Sequence, residues 1–185
     1  MSGDDPLASV LAIYGLATDC FRIAQRAIAN RPVRLEGTVF RGMRRASVEK
    51  RIALTRAELD ALVVVGLWAV FERHLREYLR AKGRSVRTAR PRVVARALHH
   101  HTDREMEYWK ADDVLDIFKG IVDPSLIGNA KQIKDYRDWV AHRNPRRPSP
   151  TKTDPTSAYT VLQQILQRVT TSERRATTRR PSPAR

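Results

Sequence analysis

The sequence predicts an all-α protein, a single bundle of four to six helices. Apolar residues recur at three- and four-residue spacing in one segment after another, as one face of a helix requires. No stretch shows the strict alternation of a half-buried strand, and Gly, Pro and Asn-Pro stops divide the chain at intervals that suit helices of three or more turns. A length of 185 residues with 42% hydrophobic content is enough to bury one core. The expected organisation is one domain over residues 1–171 and a disordered basic tail over 172–185.

The first helix is expected over 6–30, opening at Asp5-Pro6, carrying Leu7, Val10, Leu11, Tyr14 and Phe21 on one face, and stopped by "NRP". Residues 31–45 are basic and aperiodic, a loop with an extended turn. A long helix over about 46–82 follows, closed by Gly83; its middle, "ALVVVGLWAVF", is apolar all round, the mark of a helix buried on several sides. Residues 84–92 form a basic linker containing Pro91, and "VVARALHHH" makes a short helix. One further helix is expected within 103–123, ending near Gly120, on the strength of Met106, Trp109, Val114, Ile117 and Phe118. The next begins at Pro124-Ser125 and stops before Pro145, because a residue preceding proline avoids the α region. The last spans about 156–170, with Ala158, Val161, Leu162, Ile165, Leu166 and Val169 in register.

Composition narrows the partners. Lys plus Arg number 35 against 20 Asp plus Glu, a formal +15; seven of the 35 are lysine, so 35 − 7 = 28 are arginine. Guanidinium forks match phosphate oxygens, and neutralising phosphates releases counterions, so nucleic acid is the first expected partner and an acidic protein the second. The plain alternative is that arginine is simply this chain's preferred basic residue. Cys20 is the only cysteine, which rules out an internal disulfide and a four-cysteine metal site; it follows an apolar face and reads as packing. The N-terminus is acidic where a secretion signal is basic, and the longest apolar run has 11 residues, short of the ~20 that cross a bilayer. A cytoplasmic protein without a membrane partner is expected.

The segment "KDYRDWVAHRNP", residues 134–145, carries the functional question. Leu126, Ala130, Ile133, Val140 and Ala141 fall on one helix face, and Arg137 lies near the centre of that face. A guanidinium there needs an anion, because an unpaired buried charge is costly. An internal acid such as Glu72 or Asp113 is one candidate; a recruited phosphate is the other. Asp138 and His142 are four apart, on one flank, so the carboxylate is placed to orient the imidazole. His142 also sits in the last turn, where the helix dipole favours imidazolium. Arginine for phosphate charge, histidine for proton transfer and an acid for orientation are the parts of metal-independent RNA cleavage by the 2′-hydroxyl, a reaction that needs no cofactor. Positions five apart are about 140° apart around the axis. Arg137 and His142 of one helix therefore do not converge on one atom, and a two-fold dimer that joins two helix ends, 137–142 against 137–142, would solve this.

At these residues the chain resembles the HEPN-domain family. "RDWVAH", Arg137 to His142, is similar to that family's signature of arginine, a polar residue, three more residues and histidine; the preceding tyrosine and following "RN" resemble its toxin-like branch, and "LWAVFERHLREYL", 67–79, resembles an earlier family helix whose apolar-acidic segment supports the site. The resemblance implies a helical metal-independent endoribonuclease of the toxin or antiphage type, acting as a homodimer with a composite cleft, with Arg137, Asp138 and His142 as its site residues and RNA as its substrate. It also implies a regulatory partner such as an antitoxin. A second arginine-to-histidine pair at the same spacing, Arg96 and His101, lacks the acid after arginine and the helix end after histidine.

Other residues invite competing readings. Three consecutive histidines, 99–101, point in three directions from a helix and do not cage one metal ion. Glu72 and Arg73 read as an ion pair at the core edge, with Glu72 also able to hold Arg137. Trp68, Trp109 and Trp139 read as core or interface anchors. A non-catalytic helical module that binds nucleic acid or a protein, with Arg137 merely tying helices together, is the alternative function.

Overall fold

The computed structural model describes residues 5–30, 37–143, 148 and 150–178. Six α-helices and one 3-10 turn account for most of them: α1 (Ala8–Asn30), α2 (Arg45–Val86), α3 (Arg92–Glu105), α4 (Ala111–Asp116) running into a 3-10 turn (Ile117–Gly120), α5 (Pro124–His142) and α6 (Pro155–Thr178). Among the described residues there is no strand, and the all-α bundle is as expected.

Three helices start with the same local device, an Asp-Pro pair. The Asp5 carboxylate accepts the Leu7 N–H at 2.9 Å, Asp123 accepts the Ser125 N–H at 2.7 Å, and Asp154 accepts the N–H groups of Thr156 and Ser157 at 3.0 Å each. The aspartate satisfies amides that have no partner within the helix, and proline supplies a preset φ where no N–H is needed.

The 42-residue α2, about 63 Å long, is the spine against which α1, α3, α5 and α6 all pack. Its all-round apolar middle is explained by this position: Val64, Leu67, Trp68, Phe71 and Leu75 are buried against Val114, Leu115 and Phe118, Ile127 to Val140 of α5, and Ala158 to Val169 of α6. A smaller cluster, Ile28, Val48 and Ile52, joins the C-terminal end of α1 to the start of α2.

Four expectations need correction. Gly83 does not close α2, which runs three residues further to Val86. The helix expected within 103–123 is broken: α3 ends at Glu105, and the chain turns before α4 because Arg76 of α2 draws off the carbonyls of Met106 (2.5 Å) and Trp109 (2.8 Å). α6 extends eight residues beyond Thr170, to Thr178, tied near its end by an ion pair between Lys82 and Glu173 at 2.6 Å; residues 179–185 lie outside the described residues. Cys20 is exposed rather than packed, because α1 turns it away from α2 together with Ile13, Leu16 and Ile23. Part of the expected 31–45 loop, 31–36, lies outside the described residues; 37–44 forms turns in which Gly37 and Gly42 adopt φ of 78° and 73°.

Candidate active site

The end of α5 places Arg137 at the edge of the core. Ile133, Tyr136 and Val140, its neighbours on α5, are buried, and the Arg137 side chain keeps 24% of its surface exposed. Its guanidinium lies 5.4 Å from the Trp68 ring centroid, a cation–π arrangement. One terminal nitrogen donates to Glu72 at 3.1 Å and the other pairs with Asp138 at 2.8 Å. Nε is buried without an acceptor among the described residues.

Glu72 is the hub of this corner. Its carboxylate accepts from the Trp68 indole N–H at 2.8 Å, from Arg76 at 2.7 and 3.1 Å, and from Arg137. Burial by itself would raise this carboxyl, but the hydrogen bonds from Arg76 and Trp68 and the positive charges of Arg76 and Arg137 outweigh it and hold the group below the usual range. Glu72 therefore pairs with Arg76, not with Arg73, which is exposed. Of the two internal acids weighed for Arg137, Glu72 is the partner; Asp113 is exposed at the start of α4.

Asp138 departs from its expected role. Its carboxylate faces Arg137 and, at 3.9 Å, Lys134, and no hydrogen bond joins it to His142. The reason is competition: two cations lie within reach on its own helix, and Arg137, partly desolvated, is the stronger claim. Lys134 itself is nearly enclosed, with 16% of its side chain exposed, and meets Asp112 at 2.7 Å and Asp135 at 3.3 Å. Burial works against its charge, yet these acids raise it above the ordinary lysine value.

His142 is the last residue of α5 and is exposed. Arg143 ends the helix in the left-handed region, φ 38° and ψ 46°, with its N–H donating to the Trp139 carbonyl at 2.7 Å and its guanidinium paired with Glu58. Asn144-Pro145, the expected stop, lies outside the described residues. His142 and Asp138 line a groove of about 570 Å³ together with Lys134, Asp135, Trp139, Pro148 and Pro150. Arg137 does not line it and stands behind Asp138. Within one chain the structure thus brings Asp138 and His142 to one groove and Arg137 to Asp138, but not Arg137 to His142.

Arg76 and Lys134 were missed in the sequence. Glu72 to Arg76, Trp68 to Glu72 and Lys134 to Asp138 all have the four-residue spacing that marks helix-face partners, so that signal was present. Of the histidine run, His99 is half-buried and His100 and His101 are exposed. Among the described residues no helix is long and apolar enough to cross a membrane. Comparison with known proteins finds no family model, no curated protein and no solved structure that matches this chain.

Proposed function

We propose that this chain is a metal-independent endoribonuclease of the HEPN type, acting in the cytoplasm as a homodimer and, as a toxin or antiphage effector, held in check by an antitoxin or other regulatory protein. The observation that carries this reading is the pairing, at one helix end, of a half-desolvated Arg137 pinned by Glu72, Asp138 and Trp68 with an exposed His142 on the wall of an open groove. Two acids and an indole face hold the guanidinium in one place, and each terminal nitrogen keeps one N–H beyond the one those acids take.

In a two-fold dimer each subunit supplies one arginine and one histidine. The 2′-oxygen attacks phosphorus as one His142 accepts the hydroxyl proton; the P–O5′ bond breaks as His142 of the partner subunit donates a proton to the departing 5′-oxygen. Arg137 offsets the charge that builds on the non-bridging oxygens. The products are a 2′,3′-cyclic phosphate and a 5′-hydroxyl, and Asp138 acts by steering Arg137 rather than by orienting His142.

The test is incubation of the purified chain with RNA in the presence of a chelator, alongside Arg137→Ala and His142→Ala and a solution mass. Cyclic phosphate ends formed by the native chain, lost in His142→Ala with fold and dimer intact, are expected. Cleavage that survives His142→Ala would overturn the proposal. One observation favours the second reading, a non-catalytic binding module: the Glu72–Arg137 contact satisfies the arginine inside one subunit. That reading predicts no cleavage by any form, the native chain included.

A further inference from the structure

On α3, Arg92, Arg96, His100 and Arg104 follow one another at four-residue intervals and are all exposed. Residues so spaced form a single ridge along a helix, with steps of about 6 Å. Among the described residues none of the four has an acidic partner, although ion pairs engage many of the other basic side chains. Of the nearby acids, Asp103 and Glu107 lie 3.9 and 3.3 Å from Arg80 of α2, and Glu105 is exposed, with no ion pair to the ridge among the described residues. Just past the end of the ridge, Tyr108 is 81% exposed, in a turn closed by its N–H donating to the Glu105 carbonyl at 2.9 Å.

We propose that this ridge and Tyr108 form a docking track for single-stranded nucleic acid. Step length is on the scale of neighbouring phosphates in an extended strand, and an open aromatic face beside a row of cations is the combination that single-strand binding uses: charge for the backbone, stacking for a base. α3 also exposes Val93, Val94 and Leu98, and it is the open Tyr108 ring beside the row of cations that favours a strand over a lipid surface. The track is also fixed relative to the candidate active site. Arg76 holds the Met106 and Trp109 carbonyls on either side of Tyr108, Glu72 holds Arg76, and the same carboxylate holds Arg137. A strand lying on α3 therefore has its Arg104 end anchored through two side chains to the arginine of the active-site helix. The choice of RNA as the strand rests on the proposed ribonuclease activity; the binding geometry does not.

The experiment is fluorescence anisotropy of a labelled twelve-nucleotide oligothymidylate, which has no 2′-hydroxyl and so is not cut by the proposed chemistry, against the full chain over a range of salt. Compared with it are the triple variant Arg92→Ser/Arg96→Ser/Arg104→Ser, a control triple Arg41→Ser/Arg44→Ser/Arg51→Ser with the same charge loss elsewhere, and Tyr108→Ala. The ridge triple is expected to bind at least about tenfold more weakly and to lower the slope of log affinity against log salt by about 2, from ~0.7 per phosphate contact. Tyr108→Ala is expected to weaken binding about fivefold or more with the slope unchanged, and the control triple to keep the native slope. Equal losses in both triples, or an unaffected ridge triple, would overturn the track. So would a ridge triple that binds the oligonucleotide normally but no longer binds phosphatidylserine vesicles. Binding is read without cleavage, so a chain that cuts nothing yet shows these differences sinks the nuclease reading and leaves the track standing.

Discussion

Glu72 and Arg137 are 65 positions apart in the chain and meet at 3.1 Å, and they share the contact unequally. Glu72 accepts from three side chains, Trp68, Arg76 and Arg137, whereas Arg137 loses only one of its two acids if Glu72 is removed.

That asymmetry fixes an order of stability losses. Glu72→Ala removes an acceptor from three side chains at once and leaves the buried Trp68 N–H without one. It is expected to cost about 2–3 kcal/mol, reduced from a fully buried case because about a fifth of the Glu72, Arg76 and Arg137 side chains still meets water. Arg137→Ala leaves Glu72 with Arg76 and Trp68 and is expected to cost only about 1 kcal/mol. Urea unfolding of both variants checks the order; equal losses would show that Arg137, not Glu72, is the centre of the cluster.

The same carboxylate gives a pH signature. Its value is lowered in the folded chain, so its contribution is complete above the ordinary value of 4.5 and fades as pH falls from there through the folded value. The stability gap between the native chain and Glu72→Gln should therefore be constant from pH 7 to about 5 and shrink towards pH 3. A gap that widens on acidification would reverse the sign of the linkage.

Arg143 occupies a backbone region that L side chains disfavour, and its ion pair with Glu58 is half in water. Arg143→Gly removes about 1 kcal/mol of backbone strain and sacrifices only a solvent-exposed ion pair. A net gain, seen as a rise in Tm of about 1–2 °C, is the expected result.

Gly83 lies inside α2 with open space where a Cβ would stand. Gly83→Ala is expected to stabilise the chain by about 0.5–1 kcal/mol through helix propensity alone. Destabilisation would mean that Gly83 serves as a hinge.

How much of this was legible before the fold was known divides along a physical line. The helices, their inward faces and the buried α2 were readable from periodicity, since a helix repeats its face every three or four residues whatever it packs against. That α5 carries Arg137 beside its apolar face and His142 in its last turn was readable for the same reason. The buried face, however, runs through Ile127, Ala130, Ile133, Tyr136 and Val140, with Arg137 at its edge and Ala141 exposed. The break after Glu105 was not: local propensity favours one helix there, and only Arg76, some 30 positions earlier, takes the carbonyls that end it. Nor was the fate of Asp138 readable, because four-residue spacing offers it His142 and Lys134, while its contact with the adjacent Arg137 depends on where packing holds that guanidinium.

By itself, then, the sequence determined much of what depends on neighbours within about one helical turn: most of the helices, their apolar faces, the Asp5-Pro6 start, and the placing of Arg137, Asp138 and His142 near the end of α5. Tertiary structure alone decided which opposite charge each buried side chain meets, as with Glu72 for Arg137 and Asp112 for Lys134. The reason is that a desolvated charge is strongly bound to whichever partner the packing of other helices brings within hydrogen-bond distance, and that choice is made across 65 and 22 positions of chain, beyond the reach of any local pattern.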